Sequence, residues 1–342
     1  MEAIATETAA ETTMERNASD ANTGWNAIFL SWAWLRRAET IADELGIESV
    51  TVQYFHRGTP FVLTLWKYLL QAVHSFVLCL WRRPRVVFVT NPPVFAVLPV
   101  WFYTALFRTR FVVDFHTGCF LEGPWKRWRF LQRYFARRAA LNLAHNDENA
   151  KILAEWGVSY RVLPSLPPRL AVGPVNRSGE RSRVVYICSF KDDEPVEAFL
   201  EAAAALEDVD VCVTGKAPGE LAARLPPNVR LTGYLSEKDY LRLLSSADVL
   251  VALTTREDTL LYGAQEAIAL HRPLVLTGSD VLRRYFPSGA VFSENSPEAL
   301  GCAVRSALES KERLVAEIIA FESECRASGR RRLREIRALL GE

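Results

Sequence analysis

A chain of 342 residues with 49% hydrophobic and 24% charged residues has an ordinary globular composition and is long enough for two domains with separate cores. Its six cysteines form no CxxC pair, which argues against a structural zinc site and favours a reducing compartment, the cytoplasm. The net charge of +1 is unevenly distributed. Residues 25–170 hold 18 Lys/Arg against 9 Asp/Glu, whereas residues 171–342 hold 22 against 26. The basic part would attract a membrane surface, phosphate groups or nucleic acid.

The chain begins with an acidic stretch, residues 1–24, that holds five acids and one Arg and lacks apolar periodicity. It has neither a basic start nor an apolar segment, so it is not typical of a signal peptide. We expect a disordered tail here.

Strand and helix patterns alternate over residues 26–168. The predicted strands are 26–32, 49–55, 86–90, 110–115, 141–146 and 160–168. The predicted helices are 36–46, 61–81, 94–107, 125–139 and 147–157. Gly46 and Gly157 are expected to stop their helices.

After a proline-rich break near residues 164–176, the same rhythm resumes. The predicted strands are 183–190, 210–215, 229–235, 248–254 and 273–279, and the predicted helices are 195–206, 236–247, 259–270 and most of the chain from about 297. Ser236 is expected to cap its helix, with Asp239 at the third helical position.

These strands are rich in Val, Ile and Leu without alternation, as in parallel sheets that are covered on both faces. The fold class is therefore α/β, with two doubly wound, Rossmann-like domains that face a central cleft. We expect an N-terminal domain at 25–170 and a C-terminal domain at 177–315. The helix at 316–342 is expected to pack back on the N-terminal domain. A ligand is expected at the carboxyl ends of the strands.

The predicted helix at 259–270 carries an acidic pair. On a helical wheel, Asp258 and Glu266 share one face, with Asp258 at the helix start and Glu266 about 12 Å further along the axis. The N-terminus of a helix favours an anion, and a carboxylate can accept both hydroxyls of a ribose. The alternative is an ordinary cap at Asp258 and a solvated surface residue at Glu266.

The stretch Asp258-x7-Glu266, followed by AIALHRPLVLTGSD, resembles the retaining glycosyltransferases of the two-domain GT-B type, close to the family 4 group. The resemblance covers most of residues 25–320. It implies that Asp258 is catalytic and contacts sugar hydroxyls, and that Glu266 binds the ribose of a nucleotide sugar. The glycines that usually follow the first acid are replaced by TLL, which begins at Thr259, a further predicted donor-binding residue.

Two further stretches are similar to this family. GYLSEKDYLRLLSSADVLVAL (233–253) implies that Tyr234 and Leu235 lie near the nucleotide base. The stretch that ends in DFHTG resembles members that act on lipid-linked acceptors, and implies that His116 is catalytic and lies close to the transferred sugar.

The sequence departs from the family after the first strand of the second domain. Family members usually place an Arg and a Lys there to hold the donor diphosphate, whereas SFKDDEP (189–195) offers Lys191 among three acids. Lys216 and Arg256 are the other candidate phosphate ligands.

The resemblance implies transfer of a sugar from a nucleoside diphosphate with retained anomeric configuration, in the synthesis of a surface glycan. The leaving group is a diphosphate, so catalysis would depend on positioning and charge stabilisation. No DxD motif stands where a metal would be expected, so we predict neither a metal nor a cofactor beyond the donor substrate.

Aromatic residues alternate with cations in WRRPR (81–85), FRTRF (107–111) and WKRWRFLQRYFARR (125–138). This pattern is typical of an anionic membrane surface, and it also occurs on nucleic-acid surfaces. No RRM, KH or zinc signature is present, so nucleic acid is not an expected partner. The apolar segment 61–81 carries Lys67, Gln71 and His74 as a polar stripe, which favours peripheral attachment over a membrane span.

Two alternatives stay open. One is a sugar-nucleotide epimerase of the same fold, which needs acid/base carboxylates and histidines. The other is a catalytically silent relative that acts as a partner subunit, which the missing glycines and phosphate ligands would explain.

Overall fold

The computed structural model describes residues 25–54, 61–120, 125–170, 181–219, 221 and 225–341. The predicted tail at 1–24 and residues 171–176 of the predicted linker lie outside this part of the chain. The chain divides into two compact units. The first unit runs up to Pro164 and resumes at Gly329, and the second unit is Ser165–Ser328.

The first unit contains a six-stranded parallel sheet with the strand order β2-β1-β3-β4-β5-β6. Its strands are β1 (Ala27–Ser31), β2 (Glu48–Thr51), β3 (Val86–Asn91), β4 (Arg110–Phe115), β5 (Leu141–Ala144) and β6 (Tyr160–Val162). The central strands are almost wholly buried, as their unbroken apolar sequences predict. The order changes direction between β1 and β3, where ligands of such sheets bind.

The helices of the first unit are α1 (Arg36–Leu45), α2 (Phe61–Arg82), α3 (Val97–Phe107), α4 (Arg129–Ala136) and α5 (Asp147–Glu155). Gly46 ends α1 in a left-handed conformation, with φ of 64°, as predicted. The predicted helices 94–107 and 125–139 each begin with a 3-10 turn, at Val94–Ala96 and Lys126–Trp128.

Only Gln71 of the predicted polar stripe of α2 is buried, because Lys67 is partly exposed and His74 is exposed. Gln71 and Ser75 are fully buried, where Gln71 donates to the carbonyl of Val52 at 2.6 Å and Ser75 accepts from the Trp32 indole at 2.9 Å. The opposite side of α2 is exposed and apolar. Among the described residues, no helix is both long enough and apolar enough to cross a membrane.

The second unit contains a parallel sheet with the order β12-β11-β10-β7-β8-β9. Its strands are β7 (Ser182–Tyr186), β8 (Val209–Val213), β9 (Val229–Leu231), β10 (Val249–Ala252), β11 (Leu274–Thr277) and β12 (Ala290–Ser293). The order changes direction between β7 and β10. The predicted pair of doubly wound sheets is therefore confirmed.

The helices of the second unit are α6 (Val196–Ala204), α7 (Glu237–Ser245), α8 (Tyr262–Ala269), α9 (Asp280–Tyr285) and α10 (Pro297–Glu309). Ser236 caps α7 as predicted, since its hydroxyl accepts from the amide of Asp239 at 3.2 Å.

The last helix, α11 (Lys311–Leu339), belongs to both units. Residues up to Ser328 group with the second unit, and residues from Gly329 group with the first. In the first unit, Arg332 donates to the carbonyl of Val162 at 2.8 Å, and Arg337 lies 5.2 Å from the ring centre of Trp25. The division thus falls at 328/329 rather than at 315/316.

Candidate functional site

A pocket of about 270 Å³ lies at the carboxyl ends of β7, β8 and β9 in the second unit. It is lined by Ile187, Cys188, Ser189, Glu194, Thr214, Gly215, Gly233, Tyr234, Leu235 and Tyr240. The carboxyl ends of parallel strands meet at one edge of a sheet, and this edge is the usual ligand site of doubly wound folds. The pocket is therefore the candidate binding site of the second unit.

Two glycines shape the floor of this pocket. Gly215 and Gly233 both have positive φ, 88° and 66°, and they pair with each other through an antiparallel bridge. A Cβ atom at Gly215 would collide with the carbonyl oxygen of Cys188. Glycine at this position therefore allows the chain after β8 to approach the chain after β7.

The residues predicted near a nucleotide base line this pocket. Tyr234 is 83% exposed and Leu235 is 36% exposed, so both present apolar surface to a ligand. Lys216 directly follows Gly215 and is exposed, but it is not among the lining residues.

The loop after β7 holds a carboxylate in the pocket wall. Glu194 accepts from the backbone amides of Ser189 and Lys191, each at 2.9 Å, and from the Ser189 hydroxyl at 3.0 Å. The side chain of Lys191 is exposed. The backbone amide of Lys191, a predicted phosphate ligand, thus donates to the carboxylate of Glu194.

Glu266 lies on α8 but is not the solvated surface residue of the alternative interpretation. It is 5% exposed and accepts from the Tyr240 hydroxyl at 2.7 Å. Tyr240 lines the pocket, so this hydrogen bond connects the Glu266 carboxylate to the pocket wall.

The prediction that Asp258 lies at the start of this helix is wrong, because α8 begins at Tyr262. Asp258 lies in the preceding loop and is exposed. Leu260 and Leu261 are partly buried against the core of the second unit, as predicted for an apolar helix face, but they lie in the loop before α8. The two acids therefore do not share one helical face.

The other predicted residues near Asp258 differ in their surroundings. Arg256 lies 3.4 Å from the carboxylate of Asp193, which also accepts from the Thr254 hydroxyl at 3.1 Å. These contacts of Asp193 join the loop after β7 to the loop after β10. The Thr259 hydroxyl is buried and has no hydrogen-bond partner within the described part of the chain.

In the first unit, His116 belongs to a buried cluster at the ends of β4 and β5. The Nε2 atom of His116 lies 3.1 Å from Oδ2 of Asp114, and the ring centres of His116 and His145 are 4.2 Å apart. Asp114 is fully buried and accepts two hydrogen bonds from Arg37, at 3.0 and 2.8 Å. Arg37 also donates to the carbonyl of Leu163 at 2.8 Å.

The electrostatics of this cluster follow from the buried ion pair. Burial opposes ionisation of Asp114, but Arg37 and the two histidines hold its pKa well below the ordinary value. Burial, Arg37 and His116 lower the pKa of His145 from 6.5 to about 3, against the opposing effect of Asp114. His145 is therefore neutral at physiological pH.

The lowered pKa of His145 predicts a loss of stability in mild acid. Between pH 6.5 and about 3, the unfolded chain binds a proton at His145 that the native protein does not bind. We expect this group to reduce the free energy of unfolding by about 2 kcal/mol between pH 7 and pH 5. Urea unfolding of His145→Gln should show a pH dependence that is smaller by this amount. The exposed His74→Gln is the control, and an unchanged pH dependence in His145→Gln would contradict the assignment.

A metal could be held here only in competition with Arg37. The candidate ligand atoms of Asp114, His116 and His145 lie within 4.8 Å of one another. However, the Arg37 guanidinium already binds both carboxylate oxygens of Asp114. The Asp114 carboxylate is therefore already bound by a cation of this chain, and metal independence stays a prediction.

Sequence reasoning missed three polar residues of the first unit, Arg37, Asn91 and His145. Asn91 ends β3 and is buried, and neither of its side-chain polar atoms has a hydrogen-bond partner within the described residues. His145 directly follows β5, as His116 directly follows β4. That shared position at a strand end was the available signal for His145 and Asn91.

The first unit also has an exposed apolar face on α2 and α3, called here the α2–α3 face. Its exposed residues are Leu65, Trp66, Leu69, Leu70, Val73, Val77, Leu80, Trp81, Leu98, Phe102, Leu106 and Phe107. The two helices pack together, with the rings of Phe76 and Phe102 5.4 Å apart. Exposed patches of this kind mark interaction sites.

Residues 181–310 match the family of glycosyl transferases group 1. No curated protein matches the sequence. Among solved structures, sucrose-phosphate synthase from Thermosynechococcus elongatus has a TM-score of 0.64 at 13% identity, over 92% of this chain and 96% of that one. HepE from Anabaena in complex with UDP-glucose has a TM-score of 0.64 at 11% identity, over 91% and 99%. A putative UDP-N-acetylglucosamine 2-epimerase from Listeria monocytogenes has a TM-score of 0.60 at 12% identity, over 86% and 91%.

The structural similarities confirm the predicted GT-B fold. The family match places the candidate pocket in a glycosyl transferases group 1 domain and confirms the predicted class of enzyme, a glycosyltransferase. The narrower assignment to the retaining family 4 group stays a prediction.

Proposed function

We propose that the protein transfers a sugar from a nucleoside diphosphate to a lipid-linked acceptor, with retention of configuration, in the synthesis of a surface glycan. The observation that carries this proposal is the pocket at the ends of β7, β8 and β9 within the matched region. Its exposed Tyr234 offers a flat surface to a base. The Glu266 carboxylate, held by Tyr240, is the proposed ribose ligand.

The remaining predicted residues keep their roles within this proposal. The exposed Asp258 would contact sugar hydroxyls, with Thr259 beside it, and His116 is the proposed catalytic histidine. Lys191, Lys216 and Arg256 are exposed cations near the ends of β7, β8 and β10, and would contribute to phosphate binding. HepE, whose structure holds UDP-glucose, supports a UDP-sugar as the first donor to test.

The test is incubation of the full chain with a panel of UDP-sugars and GDP-sugars, followed by measurement of released UDP or GDP. Glu266→Gln should weaken binding of the nucleotide by about 1.5–3 kcal/mol, the contribution of a hydrogen bond to a charged group. Glu257→Gln, an exposed residue of the preceding loop, removes the same charge and should leave binding unchanged.

Glu266 is buried, so its substitution should also lower the melting temperature. Tyr240→Phe removes the hydrogen bond but keeps the carboxylate, and it separates the loss of packing from the loss of ligand binding. Nucleotide affinity equal to that of the unsubstituted protein in a folded Glu266→Gln variant would show that Glu266 is structural.

The α2–α3 face supports a membrane-bound acceptor. Residues 61–111 contain six Lys/Arg and no Asp/Glu, and Arg82, Arg83, Arg85 and Arg108 lie exposed next to the apolar residues. A surface that joins exposed Trp and Leu to cations is complementary to anionic headgroups above an acyl layer. We therefore propose an anionic membrane as the partner of this face.

A sugar-nucleotide epimerase is the second candidate, because the cluster of Asp114, His116 and His145 could move protons and a putative epimerase has a similar fold. Interconversion of sugars without transfer, in the same panel, would favour it. If calorimetry detects no nucleotide binding, the silent partner subunit is favoured instead.

A further inference from the structure

The loop after β7 has the geometry of an anion site. Phe190 adopts a positive φ of 57°, which turns the amides of Ser189 and Lys191 toward one point. Backbone amides that converge in such a turn form a concave nest that binds anions, and here the intervening Phe190 amide donates instead to the Cys188 sulfur at 3.3 Å. The Ser189 hydroxyl points to the same place, since it donates to the same carboxylate as the two amides.

The anion in this nest is a side chain of the protein itself. Oε2 of Glu194 accepts both amides at 2.9 Å, and Oε1 accepts the Ser189 hydroxyl at 3.0 Å. The Cys188 thiol lies 3.4 Å from Oε2 as a further donor. Ser189 and Glu194 both line the pocket, so the occupied nest is part of the binding site.

We propose that Glu194 is an internal anion that limits the affinity of the pocket for the phosphates of its nucleotide ligand. This inference rests on the proposed function, because it takes a nucleoside diphosphate as the ligand. A diphosphate needs the same kind of donors, and its charge repels the Glu194 carboxylate. The diphosphate binds only when Glu194 leaves the nest, whereas the nucleoside part is indifferent to Glu194. Glu194 is thus a specificity-determining residue.

The experiment measures binding of uridine, UDP, guanosine and GDP to the full chain by calorimetry. Glu194→Gln keeps the side-chain shape and removes the charge, and Glu194→Ala empties the nest. For the diphosphate of the base that binds, we expect affinity to rise about tenfold in both variants, while nucleoside affinity changes by less than about twofold.

Asp192→Asn is the matched control. Asp192 is an exposed acid of the same loop, and its substitution changes the net charge by the same amount. It should leave all four affinities unchanged. Melting curves identify a variant that has lost its fold, and the conclusion then comes from the other Glu194 variant.

Three results would overturn the inference. If the unsubstituted protein binds UDP or GDP and neither folded Glu194 variant gains affinity, the inference fails but the proposed function stands. If Asp192→Asn gains as much as Glu194→Gln, the effect is one of net charge. If no variant binds any of the four compounds, the inference and the proposed function both fail.

Discussion

Replacing Arg37 with methionine should lower the free energy of unfolding of the first unit by about 3–5 kcal/mol. Arg37 is 3% exposed and binds both carboxylate oxygens of the fully buried Asp114. Without the guanidinium, Asp114 would carry a charge in the core with His116 and His145 as its remaining neighbours. Either that charge is retained at a high cost, or the carboxyl takes up a proton.

Urea unfolding at pH 7 measures this effect, with Arg36→Met as the control. Arg36 precedes Arg37 in α1, is only partly buried and contacts the ring of Trp34, so its loss should cost about 0.5–1 kcal/mol. The double variant Arg37→Met, Asp114→Leu should recover part of the lost stability, because an apolar pair can replace a buried ion pair. Equal effects of the two single arginine variants would contradict the buried ion pair.

Replacing Trp66, Leu70 and Trp81 with serine should reduce binding to anionic vesicles by at least about 100-fold, since each apolar side chain contributes about 1.5–3 kcal/mol when it is fully buried. All three residues are exposed on α2 within the α2–α3 face. The measurement is cosedimentation with phosphatidylcholine vesicles that do or do not contain phosphatidylglycerol. Binding should require the anionic lipid and should weaken with salt, because the arginines beside the face contribute electrostatic attraction.

The control replaces three apolar residues outside that face, Trp34, Ile319 and Leu339, which are also exposed. It should bind vesicles like the unsubstituted protein. If the substituted α2 variant also binds like the unsubstituted protein, the face does not contact lipid. Equal binding to neutral and anionic vesicles would show that the arginines beside the face do not contribute to membrane binding.

Local signals in the sequence were sufficient for the architecture. Unbroken Val, Ile and Leu runs predicted the parallel strands, Gly46 predicted the end of α1, and Ser236 predicted the cap of α7. In each case the physical cause lies within a few residues of its effect, and no distant contact is needed to read it.

The sequence was less informative where distant residues decide the outcome. Leu260 and Leu261 have the spacing of apolar residues on a helix, but they pack against the core from a loop. Helix α8 therefore begins later than predicted. The polar stripe of α2 was visible, but the burial of Gln71 alone among its three residues depends on the Val52 carbonyl, which lies outside the helix.

The candidate site shows the same limit. Arg37 and Asp114 are 77 positions apart, and no spacing rule connects them. The acids around Lys191 were recognised as a departure from the family, but the occupation of two backbone amides by Glu194 depends on the conformation of Phe190. Such conformations follow from the folded loop and not from residue types alone.

Helix α11 has a consequence for how the protein is made. The final turns of this helix supply Arg332 and Arg337 to a unit whose residues outside 329–342 are all synthesised before Ser165. During translation the first unit therefore lacks these contacts until the whole of the second unit has been synthesised. A fragment that stops at Pro164 would lack the contacts of Arg332 and Arg337 permanently. The first unit therefore begins to be synthesised first but is completed last.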